Sequence, residues 1–277
     1  MDGIKICAVF LNFQMHGDLV HYEVVYLDSS KGRDIRYGVI TFKNPSHFWS
    51  SDTHTWGTRI EEHRFNPILL TQLSSVLEQI EADIQSISGL IFRAEGKYFS
   101  NGVDLRYVET HPGSGIEIQK GLENIMGRLL SLGVVTVALV NGHATATGGI
   151  LALCCDFRVM AERGFFFLPA VELGIVYSQG FLEVVKSKVD SPRLQRDMLL
   201  FSKRYTSSAL CGIGLVEKVV TEERGLEECI GIIRGNHQIN HNSLSEVKKR
   251  LYKTAISELM DERISDMHWE NITKSRL

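Results

Sequence analysis

The sequence predicts an α/β fold in a single domain with a helical C-terminal part. Short runs of β-forming residues are interleaved with segments of helical periodicity, and helical periodicity dominates from about residue 179 onward. The 277 residues include 44% hydrophobic and 23% charged residues, which is the composition of a globular chain able to bury a sizeable core.

The strands are predicted from clusters of β-forming residues bounded by turns. Residues 134–140 (VVTVALV), for example, form a continuous apolar run typical of a buried strand. The first two strands, joined by a His-Gly-Asp turn, are expected to form a hairpin, and residues 44–63 lack periodicity and are predicted to be a loop. Strands are expected at residues 4–13, 20–28, 36–42, 90–92, 134–140, 157–160 and 165–168.

The helices are predicted from apolar residues that recur every three or four positions. Pro67 stands where a first-turn proline is favoured, and the apolar pattern then continues from Leu69 to Ile80. Further helices are expected at residues 116–132, from Thr147 onward, and at 191–201, 206–212, 222–234 and 243–263.

Charge and cysteine content exclude several classes of function. A net charge of -3 and a pI near 6.4 give no general attraction to nucleic acid or anionic membranes, and no apolar run is long enough to span a membrane. The five cysteines lack the spacing of a metal site, so we expect no metal and reduced thiols packed in the core. The N-terminal stretch is interpreted as a strand, not a signal peptide. The pairs Lys248-Lys249 and Glu222-Glu223 are expected on solvated helix faces.

Two glycine-containing turns follow predicted core strands. Residues 141–156 (NGHATATGGILALCCD) place an Asn-Gly turn and several small residues between a strand and the start of a helix. Residues 97–105 (KYFSNGVDL) place a second Asn-Gly turn after another strand, with Asp104 as the cap of a short helix. Small residues at such places let a ligand atom approach free backbone N–H groups, so the two turns could converge on one oxygen. The alternative at this point is that the small residues only allow close packing.

As an ordered pair about forty residues apart, these turns resemble those of the crotonase (enoyl-CoA hydratase/isomerase) superfamily. The resemblance covers roughly residues 36–235. The stretches EHRFNP, GKYFSNGVDL, NGHATATGGILAL and Arg163-Gly164 are most similar to plant-type peroxisomal Δ3,Δ2-enoyl-CoA isomerases.

The resemblance implies a crotonase-type ββα-spiral core and an acyl-CoA thioester as substrate, with no separate cofactor. It also implies a C-terminal helical region that forms a homotrimer. The expected division of the chain is an N-terminal β-hairpin extension at 1–35, the spiral core at 36–203 and the C-terminal helical region at 204–277.

The resemblance places the two oxyanion-hole donors on the backbone N–H groups of Val103 and Thr147. Arg106 matches a position that is often basic, and the alternatives for it are contact with a CoA phosphate or a solvated surface role. Other candidates for contact with the ligand lie beside the two donors: Ser100, Gly102 and Gly148.

Both catalytic glutamate positions implied by the resemblance are substituted. Hydratases of the family use two glutamates and isomerases use one, and the corresponding residues here are Ile150 and Ala170. The substitution of Ile150 argues against a two-carboxylate hydratase mechanism.

Three interpretations remain open. Glu172 supplies the carboxylate if residues 168–175 are extended, because residues i and i+2 then share a face. Tyr177 matches a tyrosine of related acyl-CoA decarboxylases that also lack the glutamate. The third interpretation is an acyl-CoA-binding protein without turnover. The expectation is an enoyl-CoA isomerase-like protein of fatty-acid β-oxidation with weak or atypical activity.

The residues Ser275-Arg276-Leu277 resemble the S-K-L peroxisomal signal. We therefore expect a peroxisomal location, reached through the import receptor that reads such C-terminal tripeptides.

Overall fold

A computed structural model describes residues 6–9, 19–27, 35–43, 48–50, 55–57 and 62–261 of the chain. The tripeptide Ser275-Arg276-Leu277 lies outside the described residues. No helix within the described ranges has both the length and the apolar character that crossing a membrane requires.

The described strands and helices follow one another in an α/β order. The strands are β1 (Ile6–Val9), β2 (Val20–Leu27), β3 (Ile35–Phe42), β4 (Phe48–Ser50), β5 (Thr55–Gly57), β6 (Gly89–Ala94), β7 (Tyr98–Ser100), β8 (Val135–Val140), β9 (His143–Thr145), β10 (Phe157–Ala161), β11 (Phe165–Phe167), β12 (Tyr205–Thr206) and β13 (Lys218–Val220). The helices are α1 (Pro67–Ala82), α2 (Leu105–Thr110), α3 (Ser114–Ser131), α4 (Thr147–Cys154), α5 (Gln179–Lys188), α6 (Pro192–Leu199), α7 (Ser207–Gly212), α8 (Gly225–Gly235), α9 (His241–Leu251) and α10 (Lys253–Leu259).

Two sheets organise these elements. The larger has the strand order β1-β2-β3-β6-β8-β10-β13, with β1, β2 and β3 antiparallel and the strands from β3 to β13 parallel. The smaller has the order β12-β11-β9-β7, in which β7, β9 and β11 are parallel.

A ββα unit recurs along the chain. The strands β6, β8 and β10 of the larger sheet are each followed by a short strand of the smaller sheet and then by a helix. This order is a ββα spiral, and the predicted α/β fold class with a helical C-terminal part is confirmed.

The centre of the larger sheet, around β8, is buried on both faces. In β8, Val137 packs in one apolar cluster with α8, and Ala138 packs in the other cluster, which lies against α1, α3, α4 and α5. Contact with α8 is close, since a Cβ atom on Gly89 would lie 2.7 Å from the Ile233 side chain. Continuous apolar runs such as 134–140 therefore reflect a strand that is covered on both sides.

The predicted helix that begins at Pro67 is confirmed as α1. Asn66 accepts a hydrogen bond from the N–H of Leu69 at 3.0 Å, and Pro67 occupies the first turn of α1. The predicted helix 243–263 is wrong as one element, because α9 ends at Leu251 and α10 begins at Lys253.

Several short strands were not predicted. The strands β7, β9, β12 and β13 have two or three residues each, which is too short for a period of two to show in the sequence. The expected loop at 44–63 contains the paired strands β4 and β5.

The N-terminal hairpin joins the larger sheet directly. β2 pairs with β3 from Val20 to Leu27, and Leu19 and Val24 pack in the core. The division of the chain at residues 35/36 and 203/204 stays a prediction.

The expectation that Lys248 and Lys249 both lie on a solvated helix face is wrong for Lys248. The Lys248 ammonium is buried and donates to the carbonyls of Leu132 and Val134 and to the Asp156 carboxylate, at 3.0, 2.8 and 2.7 Å. Lys249 is exposed, as expected. The two carbonyl hydrogen bonds connect α9 to the end of α3 and the start of β8, and the ion pair connects it to Asp156, just before β10. The sequence around Lys248 does not reveal these contacts.

Candidate active site

A cavity of about 290 Å³ opens at the carboxyl ends of β7, β9 and β11. Because these strands are parallel, the backbone segments that leave them meet at one edge of the smaller sheet. Most of the lining is apolar, including Val103, Leu105, Ala146 and Phe167. The polar side chains in the lining belong to Arg64, Asn101, Arg106, Thr145, Thr147 and Tyr177.

The turns after β7 and β9 touch each other at the cavity. Gly102 has a φ of 79°, a left-handed conformation that glycine adopts without steric cost. A Cβ atom on Gly102 would lie 2.8 Å from the Cβ of Ala146 and 3.3 Å from the nitrogen of Thr147. The predicted convergence of the two glycine-containing turns is therefore present in the structure.

Neither candidate N–H donor has a hydrogen-bond acceptor within the part of the chain that the structure describes. Phe65 donates its N–H to the carbonyl of Gly102 and accepts from the N–H of Asp104, at 2.8 and 2.9 Å. This pairing leaves the N–H of Val103 pointing away from Phe65. Thr147 is the first residue of α4, where helical N–H groups lack intrahelical partners. No hydrogen bond among the described residues engages the N–H of Val103 or of Thr147.

Ser100 and Gly148 lie beneath the cavity, not in its lining. The Ser100 hydroxyl donates to the carbonyl of His63 at 2.7 Å and accepts from the N–H of Gly102 at 3.2 Å. A Cβ atom on Gly148 would lie 2.6 Å from the carbonyl oxygen of Ser100. Ser100 and Gly148 pack against each other, and neither is in the cavity lining, so their contact with a ligand stays a prediction. Gly102 forms the turn.

Ile150 and Ala170, which the resemblance places at the glutamate positions, differ in their surroundings. Ile150 is fully buried in the core, within α4. Ala170 is 2% exposed and lines the cavity. A longer side chain at position 170 would therefore project into the cavity, whereas one at position 150 would have to displace packed core atoms.

Glu172 does not lie at the cavity, because the predicted extended conformation of the segment around it is wrong. Residues Val171–Leu173 form a 3₁₀ turn that starts from a helical Ala170, so the segment is not extended. In a helical turn residues i and i+2 point to different sides, and Glu172 is exposed and absent from the cavity lining.

Tyr177 contributes its ring to the cavity lining. Its hydroxyl oxygen is shielded from solvent and lies near the backbone of Ala170. Burial raises the pKa of Tyr177 above its ordinary value, so the side chain stays a neutral phenol at physiological pH. The structure therefore gives Tyr177 no basic character.

A polar wall of the cavity was missed by the sequence interpretation. Arg64 is partly buried, and its Nε donates to Glu62 Oε2 at 2.5 Å. Partial burial opposes ionisation of Glu62, but hydrogen bonds from Arg64 and Asn101 outweigh it and hold the pKa of Glu62 below its ordinary value. Arg106 is exposed at the same side. The signal available in the sequence was the close spacing of Glu62 and Arg64 in the EHRFNP stretch.

The family model described as enoyl-CoA hydratase/isomerase matches residues 61–275. The chain belongs to the enoyl-CoA hydratase/isomerase family. It is 36% identical over 158 residues to the peroxisomal enoyl-CoA delta isomerase 1 of Arabidopsis thaliana, covering 56% of this chain and 66% of that protein. It is 30% identical over 205 residues to enoyl-CoA delta isomerase 3 of the same plant, covering 69% of this chain and 84% of that protein.

The fold is also found in a solved structure of human mitochondrial delta3-delta2-enoyl-CoA isomerase. That structure has a TM-score of 0.70 and 22% identity, and the match covers 85% of this chain and 84% of that chain. The resemblance of the sequence to the crotonase superfamily is confirmed by these comparisons.

Because the two turns are in contact, we expect alanine substitutions at Gly102 and Gly113 to lower the free energy of unfolding by unequal amounts. Gly102→Ala should lower the free energy of unfolding by roughly 1–2 kcal/mol for the left-handed backbone and by about 1–3 kcal/mol more for the clash with Ala146. Gly113→Ala is the matched control, because Gly113 has a φ of 92° but a Cβ there would meet nothing within 4 Å. Urea denaturation measures both variants, and equal losses would show that the two turns do not constrain each other.

Proposed function

We propose that this protein binds CoA thioesters, with the thioester carbonyl accepting hydrogen bonds from the N–H groups of Val103 and Thr147. The observation that carries this proposal is a pair of N–H groups, on two turns that touch at one cavity, for which the described residues supply no acceptor. Such donors stabilise the enolate that forms when a proton or a carboxylate group leaves the carbon next to the carbonyl. The family membership and the plant isomerase relatives support the same substrate class.

The reaction that we propose is a weak isomerisation of 3-enoyl to 2-enoyl CoA thioesters in fatty-acid β-oxidation. An isomerase must remove a proton from one carbon of the substrate and return it to another, which requires a positioned acid/base group. Among the described residues, no carboxylate lines the cavity, since Ala170 takes the place of the expected glutamate and Glu172 faces solvent. Stabilisation of the enolate without a resident base limits the rate.

A second candidate is the decarboxylation of a malonyl-type CoA thioester. The C–C bond to the carboxylate breaks, CO₂ leaves, and the bonding electron pair forms the enolate, so no base is needed. Among the described residues, the two N–H groups without an acceptor and the absence of a carboxylate from the cavity lining favour this reaction. Tyr177, as a neutral phenol beside Ala170, is the group that would return a proton to the enolate once its hydroxyl is uncovered. An acyl-CoA-binding protein without turnover is the remaining alternative.

Arg64 and Arg106 are the proposed partners of the CoA phosphates. Both guanidinium groups belong to the cavity lining on one side, and Arg106 is exposed. Since the net charge of the chain is -3, a ligand with several phosphates has to be held by local cations of this kind.

Binding of CoA thioesters is tested by titration calorimetry with acetyl-CoA and octanoyl-CoA. We expect both to bind, and octanoyl-CoA more tightly, because the lining beyond Val103 and Ala146 is mainly apolar. Free CoA and octanoate are the controls for the two halves of the ligand. Absence of detectable binding of either thioester at millimolar concentration would exclude the proposal.

Restoring a carboxylate to the cavity should raise isomerase activity. Ala170→Glu places the group in a buried position, where desolvation raises its pKa toward neutrality and suits it to act as a base. The expected gain in kcat is about 10²–10⁴-fold, measured spectrophotometrically with a 3-enoyl-CoA substrate.

Two exposed neighbours provide the controls for this experiment. Val171→Glu adds the same carboxylate at a position that is 54% exposed, and Glu172→Gln removes the exposed one. Neither should change the rate. If Ala170→Glu binds octanoyl-CoA but shows no gain, the proposed placement of the carbonyl is wrong. The same assays with malonyl-CoA separate decarboxylation from binding without turnover.

We also propose a peroxisomal location for this protein. The support is the tripeptide Ser275-Arg276-Leu277 together with plant relatives that are named peroxisomal, although the human isomerase of the same fold is named mitochondrial. A fluorescent protein fused to the N-terminus should be punctate with the tripeptide and diffuse without it. A diffuse pattern for the intact fusion would contradict recognition by the import receptor.

The proposal includes assembly into a homotrimer. Its support is the family membership, and sedimentation equilibrium of the full chain measures it.

A further inference from the structure

The backbone pairing between β7 and β9 stops before it reaches the two turns. The two strands pair at Tyr98 with His143 and at Ser100 with Ala144, with an irregularity in between. The next residues, Asn101 and Thr145, are joined by a side-chain hydrogen bond, in which the Thr145 hydroxyl donates to Asn101 Oδ1. A side-chain contact thus continues the connection between the strands at the point where the ladder ends.

The orientation of the Asn101 amide is fixed by Glu62. Asn101 Nδ2 donates to Glu62 Oε2 at 3.1 Å, and the backbone N–H of Asn101 donates to the Glu62 carbonyl at 2.8 Å. An ionised carboxylate only accepts hydrogen bonds, so the amide nitrogen must face Glu62 and the amide oxygen must face Thr145. Arg64 shares the same Glu62 oxygen and holds it in place.

These side chains lie two positions before each proposed donor. Asn101 precedes Val103, Thr145 precedes Thr147, and the intervening Gly102 and Ala146 are in contact. A change in the distance between the side chains of Asn101 and Thr145 would therefore change the separation of the two N–H groups.

We propose that Glu62, Asn101 and Thr145 form a clamp that sets the separation of the Val103 and Thr147 N–H groups. The clamp rests on the proposed function, since the two donors matter only if a carbonyl oxygen binds between them. A single oxygen accepts from both donors only when each nitrogen lies about 2.7–3.1 Å away. Widening the gap by a fraction of an ångström loses one of the two hydrogen bonds. The three residues are positioning residues that act on the donors.

The test uses an observable that reports the polarisation of the carbonyl itself. Octanoyl-CoA labelled with ¹³C at the thioester carbonyl is bound to each variant, and isotope-edited infrared spectroscopy measures the shift of the carbonyl band. In the wild type we expect the band to move to lower wavenumber on binding. Thr145→Val keeps the size of the side chain but removes the donor, and it should reduce this shift and weaken octanoyl-CoA binding about 3- to 10-fold. Thr145→Ser keeps the hydroxyl and should restore both.

Glu62→Ala provides a variant outside the cavity lining, which remains informative if Thr145→Val fails to fold. It should also reduce the carbonyl shift, because it releases the Asn101 amide. Glu81→Ala is its matched control, since the side chains of Glu62 and Glu81 are both 37% exposed and each accepts from an arginine Nε. The control should leave the shift unchanged.

A thioether analogue, S-octyl-CoA, separates the clamp from general damage to the cavity. It has no carbonyl, so each variant should weaken its binding less than it weakens the binding of octanoyl-CoA, whatever the variant does to the rest of the cavity. Equal weakening of thioester and thioether binding would overturn the clamp, as would an unchanged carbonyl shift in both Thr145→Val and Glu62→Ala. If the wild type binds octanoyl-CoA with a shifted carbonyl band and the variants show the same shift, the clamp is refuted but the proposed function stands. A wild type that does not bind octanoyl-CoA overturns the proposed function and the clamp together.

Discussion

The close approach of two backbone turns is the constraint on which the cavity depends. Gly102 lies so near Ala146 and Thr147 that a single added methyl group would clash. Such an approach needs rigid supports on both sides. Residues 62–65 hold the Gly102 turn through three backbone hydrogen bonds, and β11 holds the other turn through the bond from the Ala146 N–H to the Phe167 carbonyl. Residues 62–65 and β11 are in turn packed against the core formed by the larger sheet and its helices. The core therefore helps to position the two turns and their main-chain N–H groups.

In the proposed mechanism, stabilisation of an oxyanion and transfer of a proton depend on different parts of the molecule. The first would depend on backbone N–H groups of residues 103 and 147, which no side-chain substitution removes directly. The second would depend on the side chain at residue 170, which a single substitution can change. A family member can therefore keep its thioester-binding geometry while its catalytic carboxylate is absent. The proposed separation accounts for a chain that has the small residues of both turns but Ile150 and Ala170 where the resemblance implies glutamates.

The sequence was sufficient to predict features that depend on local pattern. Long helices such as α1 and α3, the buried strand β8 and the two Asn-Gly turns all follow from periodicity, capping and turn chemistry. Features that depend on contacts distant in the chain were missed. The sequence does not distinguish Lys248 from an exposed helix lysine. Its partner Asp156 lies 2.7 Å away in the structure but 92 positions away in the sequence. The clamp joins Glu62 and Thr145 through Asn101, and no spacing rule relates these positions.

The placement of Glu172 was missed for a more local reason, and that reason bears on the chemistry. The stretch LPAVELGI contains β-branched and apolar residues that suit an extended strand, yet residues 171–173 form a 3₁₀ turn. The turn is closed by hydrogen bonds from Leu173 and Ile175 to the Ala170 carbonyl, at 3.0 and 2.8 Å. These bonds keep Ala170 directed into the cavity and Glu172 directed into solvent. For Glu172 to reach the substrate, both bonds would have to break and the turn would have to unwind, exposing buried Ala170 and Ile175. In the proposed mechanism the acid/base position is therefore residue 170, which lines the cavity, and the exposed Glu172 does not replace it.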